Sequence, residues 1–179
     1  MENKKTIFQR AAEWGIPFGL YLACAAMTYI FSDYFSPLLL LFMVMCTCLP
    51  VIVYFFQRRK FIEDDGFTEY AGLWMLGIML FLLGTLIASF IVYLVLQHIR
   101  PTFMYDIAQM IIDTDKQAPG VMDNELLQII KRMVDEKLMP SPIEIVMSMY
   151  WLVTFMGSLI SAITALFAHR GINRRRRQP

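Results

Sequence analysis

The chain alternates between long runs almost free of polar residues and short interruptions rich in charge. Residues 36–56 and 71–96 contain no Asp, Glu, Lys or Arg. A helix on the surface of a soluble domain carries an apolar stripe and an opposite polar face, whereas one that is apolar all round is buried or lies in lipid. A hydrocarbon core about 30 Å thick takes about 20 helical residues to cross. Four runs approach that length and predict membrane-spanning helices at 14–31, 37–56, 71–97 and 146–168. The expected fold is all-α: an integral membrane four-helix bundle forming a single membrane domain over 1–179.

Between the third and fourth runs the period changes. In "HIRPTFMYDIAQMIIDTDKQ", Phe103, Met104, Ile107, Met110 and Ile111 form one apolar stripe, with Asp106, Gln109 and Asp113 on the other side. A helix over 101–113 is too short to span. Pro119-Gly120 marks a turn, after which Asp123 or Asn124 caps a second amphipathic helix bearing Leu126, Leu127, Ile130, Met133, Val134 and Leu138. An extracytoplasmic helical hairpin within 99–145 is therefore expected, either closing the outer mouth of the bundle or lying on the lipid surface. Ser36-Pro37 reads as a cap followed by proline at the first helical position. Ser141-Pro142-Ile143-Glu144 is a capping box, so the last helix starts before its span. Pro17 and Pro50 predict kinks rather than breaks.

Composition agrees with this reading. Hydrophobic residues make up 58% of the chain, above the roughly 45–50% usual for soluble domains. The net charge of +1 conceals an asymmetry that orients the spans. Eleven of the sixteen basic residues fall in the N-terminal flank (Lys4, Lys5, Arg10), after the second run (Arg58, Arg59, Lys60) and in the tail (Arg170, Arg174, Arg175, Arg176, Arg177). The connection 32–36 has none, and the segment 99–145 sets five basic residues against eight acidic ones. Because basic flanks stay in the cytoplasm, both termini are expected there, with a basic tail over 169–179. The first run begins like a leader, but Glu13 and Trp14 interrupt it and it runs on too far, so it is expected to remain as an anchor. Arg174, Arg175, Arg176 and Arg177 suit anionic lipid at about 1 kcal/mol each, and nucleic acid is not an expected partner.

Candidate chemistry is sparse. His98, Arg100, Tyr105 and Asp106 cluster where the third span ends. They are the outer-interface candidates, as an acid–base pair beside a phosphate-holding arginine or as a belt in which Arg snorkels and Tyr sits at headgroup level. The belt is the expected role, because no second constellation faces them. Cys24, Cys46 and Cys48 sit in apolar runs and are expected to be buried thiols. Glu63-Asp64-Asp65 and Asp113 with Asp115 lack the calcium-loop pattern and are expected to be solvated loop charge. No catalytic, cofactor-binding or metal-binding residue is assigned, and no cofactor is expected.

Small residues recur at four-residue spacing: Ala11, Gly15, Gly19 and Ala23 in the first run, Gly84 and Ala88 in the third, Gly157, Ser161 and Ala165 in the fourth. Such faces let helix backbones approach closely in lipid. Gly15, Gly19, Gly84, Gly157 and Ser161 are therefore expected to pack helix on helix.

The exit of the third span, "YLVLQHIRPTFMYD", followed by an amphipathic segment and a last span with a basic tail, resembles the uncharacterised four-span family of Bacteroidota known as domain of unknown function 4199. The resemblance implies the bacterial inner membrane and supplies no activity. The leading expectation is a non-enzymatic membrane protein that packs with partner proteins, or with itself, in the phospholipid bilayer, or organises the envelope. A small transporter, channel element or lipid-handling subunit is the alternative. No ionisable residue lies deep in a run, where ion and proton pathways place them.

Overall fold

The computed structural model describes residues 6–64, 67–117, 124–136 and 138–170. Its elements are α1 (Ile7–Ile30), α2 (Pro37–Glu63), α3 (Tyr70–His98), α4 (Phe103–Gln117), α5 (Asn124–Asp135) and α6 (Pro142–Arg170), with no strand among the described residues. Two compact units result: one combines Met1–Val92 with Ser148–Pro179, the other is Tyr93–Met147.

Three helices are long and apolar enough to cross a membrane, at Pro37–Glu63, Tyr70–His98 and Pro142–His169. The first helix is not among them. It starts at Ile7, ahead of the expected span, because Thr6 and Gln9 form a capping box: the Gln9 amide donates to Thr6 Oγ1 at 3.3 Å and the Thr6 amide to Gln9 Oε1 at 3.0 Å. Arg10 and Glu13 are therefore helical, and glycine, tyrosine and threonine dilute the rest. Pro17 and Pro50 each lie inside a helix that continues past them.

The second helix also exceeds its expected span. Gln57, Arg58, Arg59 and Lys60, expected in a loop, form its last turns, and Glu63 closes it. No glycine or proline intervenes, and Arg59 with Glu63 and Lys60 with Asp64 pair at i,i+4.

In the first unit, one face of α1 is buried at Ala11, Gly15, Phe18, Gly19, Leu22 and Ala23. Phe18, Leu22 and Ala23 meet Val53 of α2 and Leu80, Phe81 and Ala88 of α3 in one core cluster. Phe18 stands edge-on to Phe81 at 5.1 Å, and Trp14 stacks on Phe56 at 5.2 Å. Phe61, Leu73, Ala165 and Ala168 join α2, α3 and α6 in a second cluster. Burial on α2 is limited to Val53, Gln57, Lys60 and Phe61, all in its second half. Cys24, Cys46 and Cys48 are free and exposed, not buried, and none belongs to either cluster.

The small residues mark the closest helix approaches. A Cβ at Gly19 would lie 2.8 Å from the Gly84 carbonyl oxygen and 2.9 Å from Ile87 Cβ, and one at Gly15 would lie 3.2 Å from Leu83 Cβ. At Gly84 it would meet Phe18 Cδ1 at 2.6 Å, and at Gly157 it would overlap the Phe81 ring. Ser161 fills the space beside Gly77.

In the second unit, α4 begins at Phe103 after a turn at Pro101-Thr102, not at Pro101. The apolar stripe is rotated from the expected one: Phe103, Ala108 and Ile112 are buried, whereas Met110 is exposed. On α5, Leu127 is buried, while Leu126 and Met133 are exposed; Leu138, expected on this helix, lies beyond its end at Asp135 and is exposed. A stripe read as an ideal helical period does not say which flank a neighbouring element covers. Asp123 and the expected turn at Pro119-Gly120 lie outside the described residues.

Backbone crowding at Gly19 makes a direct test. Gly19→Ile should lower the melting temperature in detergent by the equivalent of about 1–3 kcal/mol, the usual cost of overpacking. Leu40→Ile, at a side chain 69% exposed, should leave it within error. Equal shifts for the two variants would refute the close approach.

Candidate functional site

Two groups of polar side chains stand apart from the apolar surface, one in each unit. In the second unit, the turn at the end of α3 brings Arg100 and Asp106 together: Arg100 Nη2 donates to Asp106 Oδ2 at 3.2 Å. Thr102 Oγ1 donates to the same oxygen at 3.2 Å, and the Arg100 guanidinium lies 5.4 Å from the Phe103 ring centroid. Arg100 is only 8% exposed, but the Asp106 side chain is 42% exposed. Tyr105 turns elsewhere, accepting from Gln109 Nε2 at 3.2 Å. His98 Nδ1 lies 3.1 Å from the Leu94 carbonyl one turn back, on an exposed face. Of the four outer-interface candidates, the fold thus joins Arg100 to Asp106, and gives Tyr105 and His98 other partners.

In the first unit, polar groups converge from α1, α2, α3 and α6. Gln57, 1% exposed, donates from Nε2 to the Leu73 carbonyl at 3.2 Å, the Ser161 carbonyl at 3.1 Å and Ser161 Oγ at 3.0 Å. Ser161 Oγ donates onward to the Trp74 carbonyl at 3.2 Å. Arg10 forms an ion pair with Glu63, and Arg58 Nη1 donates to the Ala168 carbonyl at 3.2 Å. Lys60 Nζ lies 2.6 Å from Asp64 Oδ2, which also accepts from Thr68 Oγ1 at 2.5 Å. These contacts bring the start of α1 and the ends of α2 and α6 to one end of the unit. A cavity of about 410 Å³ opens there, with Lys60, Asp64, Thr68 and Glu69 in its wall.

Glu63 and Asp64 are therefore ion-paired helix-end groups, not solvated loop charge. Sequence reasoning also missed Gln57, Lys60 and Arg10. A signal existed: Val53, Gln57, Lys60 and Asp64 repeat at i, i+4, i+7 and i+11, one helix face that starts with a core valine. It was obscured because Arg58 and Arg59 on the other faces make the stretch read as a charged loop.

Among the described residues, no group of three or more His, Cys, Asp or Glu side chains is placed to hold a metal ion. Arg174, Arg175, Arg176 and Arg177 lie outside the described residues. What the first-unit group does chemically is hold helices: Gln57 ties α2 to α3 and α6, Arg58 ties α2 to α6, Arg10 ties α1 to α2, and Lys60 pairs with Asp64 at the end of α2 itself.

With this geometry in place, residues 13–170 match the model of a family described as "Protein of unknown function (DUF4199)". The chain belongs to this family. Comparisons with curated proteins and with solved structures gave no match. The matched span reaches from Glu13 to Arg170 and takes in both polar groups except Arg10. Family membership, the helical fold and the apolar helices together describe a membrane protein of unknown function.

Asp64 carries the pH dependence of the first-unit group. Burial pushes its carboxyl up, but hydrogen bonds from Lys60 and Thr68 and the charges of Lys60 and Arg10 outweigh this and hold it below the usual carboxylate range. A lowered folded-state value contributes stability above the unfolded value, about 3.9, and loses it as pH falls through the folded value. Asp64→Asn should therefore melt clearly below wild type at pH 7, with a gap that shrinks below about pH 4. A gap unchanged across that window, read from melting curves in detergent, would assign the loss to packing instead of charge.

Proposed function

We propose that the protein is a four-span, multi-pass protein of the bacterial inner membrane, of the Bacteroidota type, with both termini in the cytoplasm. In this reading α1 spans together with the three more apolar helices, and 99–145 forms an extracytoplasmic helical hairpin. The contacts of Arg10 with Glu63 and of Arg58 with Ala168 support it, because they gather basic helix ends on one side, the arrangement of a cytoplasmic face. Cysteine accessibility in intact cells, on a background lacking the three native cysteines, checks the topology. Lys116→Cys should label from outside and Gln178→Cys should not; the reverse pattern would overturn it.

The role is non-enzymatic: the protein packs with partner membrane proteins, or with a second copy, and so organises the envelope. The observation that carries this reading is α2. Only 6% of its most apolar window is buried within the protein, and Leu40, Val44, Val51 and Phe55 are all exposed. Meanwhile Gln57 and Ser161 are engaged in joining the protein's own helices. A photo-crosslinking residue at Leu40 or Val44 should give discrete protein adducts in native membranes, and one at buried Phe18 should give none. Lipid adducts alone at Leu40 and Val44 would defeat the partner-packing role. A lipid-handling role is the second reading, favoured by an apolar cavity lined in part by Arg100 and a second one beside it.

A further inference from the structure

The second unit contains two neighbouring apolar cavities of about 400 and 540 Å³, within the range of small-molecule sites at roughly 300–1,000 Å³. They share Met104, Met139 and Pro140 in their walls. The first also takes in Leu96 and Arg100, at the end of α3. The second runs on between Ile107 and Ile111 of α4 and Ile130 and Met133 of α5. Together they make a largely apolar trough, with one buried cation near its start and the Glu144 carboxylate in the wall of the second cavity. We infer that this trough holds one acyl chain of a bilayer phospholipid, with the lipid's phosphate at Arg100.

The chemistry follows the order of the wall. Arg100 sits where α3, apolar from Ala71 to Leu96, can no longer continue in hydrocarbon, which is the level of a phospholipid headgroup. A guanidinium forks onto two phosphate oxygens, a geometry a lysine lacks. A cation only 8% exposed needs a counter-charge, and Asp106 supplies one at 3.2 Å while its own side chain is 42% exposed. An aspartate with 42% of its side chain exposed can be rehydrated when it leaves, provided that another anion takes its place on Arg100. A phosphate arriving with its chain offers a bidentate replacement. Beyond Arg100 the wall turns to methionine and isoleucine. Methionine's flexible, polarizable side chain adapts to irregular chains, as expected of a site for acyl tails of mixed length.

The inference deepens the lipid-handling reading and requires only that α3 cross the bilayer. It is independent of partner packing at α2 and of the side on which the second unit lies. The test uses full-length protein purified in detergent, incubated with an equimolar phosphatidylethanolamine that carries a diazirine near the end of one acyl chain. After illumination, adducts are mapped by peptide mass spectrometry. They should concentrate on Ile107, Ile111, Ile130 and Met133 over Leu126 and Ile129, exposed apolar residues of α5 outside the trough wall. Arg100→Gln should cut them about tenfold, the scale of one charge-assisted contact, and Arg100→Lys should fall between it and wild type. Met104→Trp, which fills the trough and keeps both Arg100 and Asp106, should cut them too, so the result survives if Arg100→Gln fails to fold. Even labelling of trough and non-trough residues, or labelling unchanged in folded Arg100→Gln and Met104→Trp, would overturn the site. Adducts in the trough that ignore Arg100 but vanish with Met104→Trp would overturn the phosphate contact.

Discussion

At the point where Gly19 of α1 faces Gly84 of α3, backbone nearly touches backbone: a single added methyl would sit 2.8 Å from a carbonyl oxygen. The first unit depends on that approach. In lipid the hydrophobic effect does not press one apolar helix against another, since the acyl chains are as apolar as leucine, so association rests on dispersion over closely fitted surfaces. Close fit requires missing side chains. Glycine at 19 and 84 lets Phe18 reach Phe81, and glycine at 157 makes room for the same Phe81 ring from α6. One aromatic pair thus acts as the shared centre of three helices.

The polar contacts complete what the glycines begin. Gln57 reaches into the space between α3 and α6, where it binds two carbonyls and the Ser161 hydroxyl, and Ser161 itself occupies the gap left by Gly77. A buried amide in that position fixes which face of α2 turns inward, because any other rotation would leave it without donors' partners in an apolar setting. The ion pairs at the ends of α1 and α2 then fix the axial register. Arg10 meets Glu63 only if the start of one helix lies level with the end of the other.

What remains uncovered is equally informative. The first half of α2 lies outside the packed clusters, so its apolar surface is an offer to lipid or to another protein. In the second unit the balance differs: short amphipathic helices bury Phe103, Ala108, Ile112 and Leu127, yet leave a trough rich in methionine and isoleucine with Glu144 in its wall. Helices of this length are marginal alone and draw their stability from what their apolar faces meet.

The sequence by itself determined the helical class, the apolar helices, the end of the third one just before Arg100 and the family, because each follows from local composition and period. It also announced the small-residue spacing. Where the helices end was less legible. Arg58, Arg59 and Lys60 read as loop charge, and only contacts with Glu63, Asp64 and Ala168 explain why they stay helical. The burial of Gln57, the exposure of all three cysteines and the rotated stripe on α4 belong to the tertiary structure alone. Hydropathy reports what a side chain prefers, whereas burial depends on which neighbour happens to face it. A helix that is apolar all round carries no preferred face, so its orientation is decided by the few polar and small residues that only packing brings opposite one another.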